Sequence, residues 1–140
     1  MKTLLVVPCL AVALVAPASA QDRLQFDVAF NDAMITQSQE TLTVGDRIVM
    51  NDTLLQGGTE VGSVAGVCTI VDLAGFAICN VTFTLPEGTI ATQFVNSPPP
   101  EKHFPVLGGT GAYSGASGSG TLIENGDETG SLSFELAGAP

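Results

Sequence analysis

The residues of this chain that could do chemistry are few, and their types narrow the possibilities. Three aspartates, Asp27, Asp46 and Asp52, stand on or beside apolar, β-branched segments, and Asn31 and Asn51 lie close to two of them. A carboxylate held against an apolar wall has its pKa raised and can act as a general acid. The plainer reading of each is a solvated or turn-forming residue. Tyr113 is the only tyrosine and sits among glycines, where it either packs over backbone or donates a hydrogen bond to a ligand. Cys68 and Cys79 share one segment, while the single histidine, His103, comes after a proline-rich stretch. That spacing matches no common metal-ligand pattern, so a thiol pair is a better reading than a zinc site.

The N-terminus bears on the state of that pair. Lys2 precedes an apolar run from Leu4 to Val15, then Pro17 and Ala18-Ser19-Ala20, the layout of a secretory signal peptide cleaved after Ala20. The run falls short of the roughly 20 residues that span a bilayer, so no membrane anchor is expected after processing. Residues 21–140 are then one exported domain, secreted or periplasmic, in which an even pair of cysteines favours a disulfide. The formal charge of the chain is −10, and only Arg23, Arg47 and Lys102 are positive beyond the leader. Such a surface repels phosphate backbones and anionic lipid, which argues against nucleic-acid partners.

No helical apolar period is sustained beyond the leader. Short β-branched runs between turn signals predict eight strands: 24–30, 47–55, 61–71, 76–85, 89–95, 103–106, 113–124 and 129–136. The expectation is an all-β fold, an eight-stranded antiparallel β-barrel, which leaves no open edge. In "SVAGVCTIVDLAGFAICNVTFTL" a tight turn at Asp72–Gly75 sets Ile70 against Ala77, Cys68 against Cys79, Gly66 against Val81 and Val64 against Phe83. That face is apolar or small throughout, and a slip of one residue would mix it with the polar face. The cysteines therefore face each other for reasons separate from their being cysteines. Asn125-Gly126-Asp127 predicts a second hairpin with a positive-φ turn.

The stretch "VLGGTGAYSGASGSG", Val106 to Gly120, could be mistaken for a phosphate loop. No lysine comes after it, as a P-loop requires, and the next segment reads as a strand rather than the helix a dinucleotide fingerprint needs. Glycines inside strands instead mark bends, bulges or close backbone approach.

"FPVLGGTGAYSGASGSGTLIE" resembles the signature of the allene oxide cyclase and dirigent protein superfamily, and "VGDRIVMNDTLL" and "EVGSVAGVCTIVDL" are similar to its upstream segments, in the same order from about Val44 to Leu136. The resemblance implies an eight-stranded barrel, commonly a homotrimer, with an apolar lumen open at one end. It implies a small hydrophobic molecule as partner, steered through cyclisation or stereoselective coupling, with no metal or organic cofactor. Carried over residue by residue, Asn51 matches an asparagine of the cyclase cavity and Cys68 a cysteine of the cyclases. The first strand, "LQFDVAFND", departs from the pattern, and Asp27 or Asn31 would stand in for the cyclases' acidic and amide groups there. On this reading Asn51 and Asp27 are candidate catalytic residues, Tyr113, Asn31 and Cys68 candidate ligand contacts, and Cys68–Cys79 a disulfide. A non-catalytic carrier, or a structural barrel with a filled lumen, is the alternative.

Overall fold

The structure is a computed structural model that describes residues 22–31, 33–35 and 43–138. The expected leader, 1–20, lies outside the described residues. Among the described residues nine strands form one antiparallel sheet: β1 Asp22–Ala29, β2 Ala33–Ile35, β3 Arg47–Gln56, β4 Thr59–Asp72, β5 Phe76–Leu85, β6 Gly88–Asn96, β7 Glu101–Gly109, β8 Ser117–Glu124 and β9 Thr129–Ala137. Each pairs with its neighbour in sequence from β2 to β9. The sheet closes because β1 pairs with both β9 and β3. Eight staves thus make the closed barrel. The ninth strand is a finding: β1 and β2 share the same edge of β3, at Leu55–Thr53 and Val49–Arg47 respectively, so the first stave is interrupted around Phe30 and Asn31.

Alternation drives the closure. In β5 every second residue is buried, Ala77, Cys79, Val81, Phe83 and Leu85, while Phe76, Ile78, Asn80, Thr82 and Thr84 face out. The expected hairpin register is present, with Cys68 opposite Cys79, Ile70 opposite Ala77, Gly66 opposite Val81 and Val64 opposite Phe83. A bulge next to the turn sets Asp72 opposite Phe76 instead of Gly75. The cysteines are joined, with their Cα atoms 4.0 Å apart. At the β8–β9 turn Gly126 adopts φ 82°, as its sequence predicts.

The barrel centre is solid. Rings from four staves meet there: Phe83 and Phe134 edge to face at 5.0 Å between centroids, Phe94 and Phe104 stacked at 5.0 Å, with Phe104 also 6.0 Å from Phe134. Gly120 on β8 makes room for this cluster, since a Cβ there would run into the Phe104 ring. The rings thus fill the middle of the lumen, and recesses among the described residues lie at its two ends. One end is marked by the disulfide and the loops 73–75, 97–100 and 125–128. The other is closed by a single 3-10 turn, Gly111–Tyr113, between β7 and β8. Tyr113 thus belongs to this turn, and the strand expected from 113 begins at Ser117.

Candidate functional site

The glycine-rich stretch builds the closed end. From β7 the chain folds back onto the β5–β6 turn: Thr110 N–H donates to Thr89 O at 2.9 Å, Ala112 N–H to Glu87 O at 2.9 Å, and the Thr89 and Thr110 hydroxyls lie 2.8 Å apart. Three glycines permit this approach: a Cβ on Gly109 would strike the Thr89 carbonyl, and the other two add an unusual backbone shape. Gly88 has φ 151° and a Cβ on it would strike the Thr110 carbonyl. Gly111 has φ 61° and a Cβ on it would strike the Glu87 carbonyl. Both positions combine a backbone shape rare for L-residues with direct contact between two main chains.

This contact delivers Tyr113 to Glu87. The phenol is buried, 8 % exposed, and its hydroxyl donates to Glu87 Oε2 over a long 3.5 Å. Burial pushes the Tyr113 phenol above its ordinary pKa, and the charge and hydrogen-bond acceptance of Glu87 push the same way. The hydroxyl is accordingly a standing donor at neutral pH. Beside it lies a pocket of about 220 Å³ lined by Leu24, Phe26, Val61, Leu85 and Pro86, with Gln56, Glu87 and Tyr113 as its polar groups. It lies below the roughly 300–1,000 Å³ of drug-sized sites, so it suits a fragment-sized molecule or one part of a larger ligand.

The disulfide end is different. Met50, Ile48, Phe94, Leu122 and the cystine enclose a recess of only about 40 Å³, room for a few waters. Met50 Sδ sits 3.7 Å from Cys68 Sγ. Lys102 points inward here and is 4 % exposed. Its ammonium donates to the carbonyls of Ser97 and Pro99 and pairs with Glu124 at 3.4 Å. All three of its donors are thereby used, and they tie the proline loop across the mouth. Asn96 Oδ1 is buried in the same recess with no partner among the described residues.

The sequence-predicted residues are not gathered into one site. Tyr113 lines the 220 Å³ pocket. Cys68 lines the recess at the opposite end, its sulfur committed to Cys79. Asn31 is exposed on the rim of an open depression shared with Phe30, Glu124 and Glu128. Its backbone N–H donates to Asp52 Oδ1 at 2.8 Å. Asn51 and Asp27 are both exposed on the outer face, so neither reaches the lumen as expected. The reason is the two-residue alternation: the inward row of β3 is Ile48, Met50, Asp52 and Leu54, and the inward row of β1 is Phe26 and Val28. Asp27 instead lies along an open outer groove with Arg23, Gln25, Ser131 and Ser133. Asp46 is buried in the turn before β3, where its carboxylate accepts from Thr43 N–H at 2.7 Å.

Asp52, Glu87 and Lys102 are the polar residues whose placement the sequence does not announce. Asp52, more plainly read as solvated, is 2 % exposed and inward, with Oδ2 unpartnered among the described residues. The signal for Lys102 is the alternation Lys102, Phe104, Val106 extended one step back from the strand as predicted. Glu87 has no such signal.

With this geometry in place, comparison with known proteins identifies the barrel. The family model of the allene oxide cyclase barrel-like domain matches residues 23–132. The chain belongs to this family. A pyocyanin demethylase structure superposes with TM-score 0.75 at 21 % identity, covering 83 % of this chain and 100 % of that one. A pterocarpan synthase dirigent protein gives TM-score 0.68 at 14 % identity, covering 84 % and 93 %. The Diels-Alderase AbmU from Streptomyces koyangensis gives 0.70 at 16 %, covering 82 % and 63 %. At these identities the likeness is one of fold. No curated protein matches the sequence significantly.

Proposed function

We propose that this allene oxide cyclase-like barrel holds a small, mainly apolar molecule at its Tyr113 end and restricts its conformation during a cyclisation or stereoselective coupling. The observation that carries this reading is the pocket itself: five apolar residues around one buried phenol donor. Apolar walls exclude water and fix the pose of the ligand, and pose alone can supply much of a barrier reduction. The phenol hydroxyl is placed to stabilise negative charge developing on a ligand oxygen. The solved barrels of the same fold include proteins described as a Diels-Alderase and a pterocarpan synthase dirigent protein, in keeping with that chemistry. The same proposal includes export, which the N-terminal leader implies, and a homotrimer, which the family resemblance implies.

Native mass spectrometry of the protein purified from its host tests this. It should show a retained small molecule that is lost in Tyr113→Phe or in a pocket-filling Val61→Phe variant. The cystine appears in the same spectra as about 2 Da below the dithiol mass. A protein that never retains or binds an apolar molecule would favour the second reading, a structural barrel. The observation behind that alternative is the solid phenylalanine centre.

A further inference from the structure

We infer that the ligand of the Tyr113 pocket is an uncharged molecule presenting a carbonyl or ether oxygen to the phenol, and that carboxylate-bearing ligands are refused. The inference rests on the reading of this pocket as the binding site.

The polar groups around the pocket decide the class of ligand. Among the described residues only Gln56, Glu87 and Tyr113 line it besides apolar side chains, so none of those residues brings a cation to it. Of the positive residues described, Arg47 begins β3 at the disulfide end and Lys102 is engaged there with Ser97, Pro99 and Glu124. Arg23 is exposed and alternates with the pocket residue Leu24, so it lines the outer groove. Asp22 and Glu60 are exposed near this end, and the chain carries a formal charge of −10. A carboxylate entering here would lose water to apolar walls with no cation among the described residues lining the pocket to offset that loss, and the screened charge of Glu87 would add a weaker repulsion.

An ammonium group fares little better. Glu87 is exposed to solvent, so its attraction is screened, while the same five apolar residues would strip the cation of water. An uncharged oxygen acceptor meets neither obstacle. It takes the Tyr113 hydroxyl from its long, weak bond to Glu87 and leaves that carboxylate in water.

The chain provides its own reporter, because Tyr113 is the only tyrosine and there is no tryptophan. The experiment titrates the full protein at pH 7 with three probes of one shape: cyclohexyl methyl ketone, cyclohexanecarboxylate and cyclohexylmethylammonium. Tyr113 emission is monitored, with calorimetry alongside. The ketone should change the emission saturably and bind at least roughly tenfold tighter than the carboxylate, the lower end of what burying a polar group without a partner costs. Glu87→Gln should narrow that gap, and Tyr113→Phe should weaken ketone binding in calorimetry. A carboxylate or ammonium that binds as well as the ketone overturns the class of ligand and leaves the site standing. No saturable response to any of the three overturns the site and the inference together.

Discussion

Tyr113 and Glu87 are 26 residues apart in sequence and meet across the mouth of the barrel, hydroxyl to carboxylate, at 3.5 Å. Desolvation and then the Glu87 charge raise the phenol pKa, so the folded state keeps this proton when the unfolded chain has lost it. Stability from this group is full below the unfolded tyrosine pKa of about 10 and is lost as pH rises through the folded value. Phenolate absorbance in the ultraviolet reads this residue alone. Its midpoint should lie above that of the urea-unfolded protein. Glu87→Gln should bring the midpoint down without abolishing the shift, because burial is the larger cause. A folded midpoint at or below the unfolded one would show that the phenol is solvated.

Gly111 and Gly115 separate backbone shape from close contact. Both have positive φ, 61° and 75°, but only at Gly111 would a Cβ meet another main chain, at Glu87 and Gly88. Alanine at Gly115 should cost about 1–2 kcal/mol, the left-handed penalty alone. Alanine at Gly111 should cost more than that and also change Tyr113 emission, since the turn must lift from Glu87. Urea unfolding and fluorescence of the two variants check this, and equal costs with unchanged emission would remove Gly111 from the positioning of the site.

The filled lumen predicts its own sensitivity. Phe134 is fully buried and contacts Phe83 and Phe104 edge to face. Phe134→Ala should cost about 3–5 kcal/mol in denaturant unfolding. Replacing both Cys68 and Cys79 by serine, or reducing the bond, should cost roughly 2–3 kcal/mol for so short a loop. The two changes act at different levels of one barrel, so their costs should add when they are combined in one chain.

How far the sequence can be read depends on where the period-two signal is clean. On β4 and β5 one face is uniformly apolar or small, so the register that joins Cys68 to Cys79 is legible without knowledge of the bond. On β3 the signal is weaker: "RIVMNDTLL" places Ile48, Met50 and Leu54 on one row, interrupted by Asp52, and Val49 and Leu55 on the other, among Arg47, Asn51 and Thr53. The family resemblance favours the asparagine for the lumen there, while the fold turns Asp52 inward. The Tyr113 site is only half legible. Its glycines signal close approach, but the partner, Glu87, lies in the β5–β6 turn, and contact between two loops leaves no periodic trace in either. The short β2 pairs with β3 over only three residues, too few for an alternation to show.

Asn51 and Asp52 give the sharpest test of that register. Asn51 is exposed on the outer face, so Asn51→Ala should change stability by less than about 0.5 kcal/mol and leave ligand binding at Tyr113 untouched. Asp52 is inward and receives the Asn31 N–H where the first stave breaks. Asp52→Ala would leave that amide without its acceptor, at a cost of about 1–3 kcal/mol. Asp52→Asn keeps an acceptor oxygen and should recover most of the loss. It also places an amide donor where Oδ2 now has no partner among the described residues. Thermal unfolding of the three variants, with hydrogen exchange measured at Asn31, decides between rows. If Asn51→Ala were the damaging change and Asp52→Ala silent, the register of β3 would be off by one residue, and every inward assignment on that strand would reverse with it.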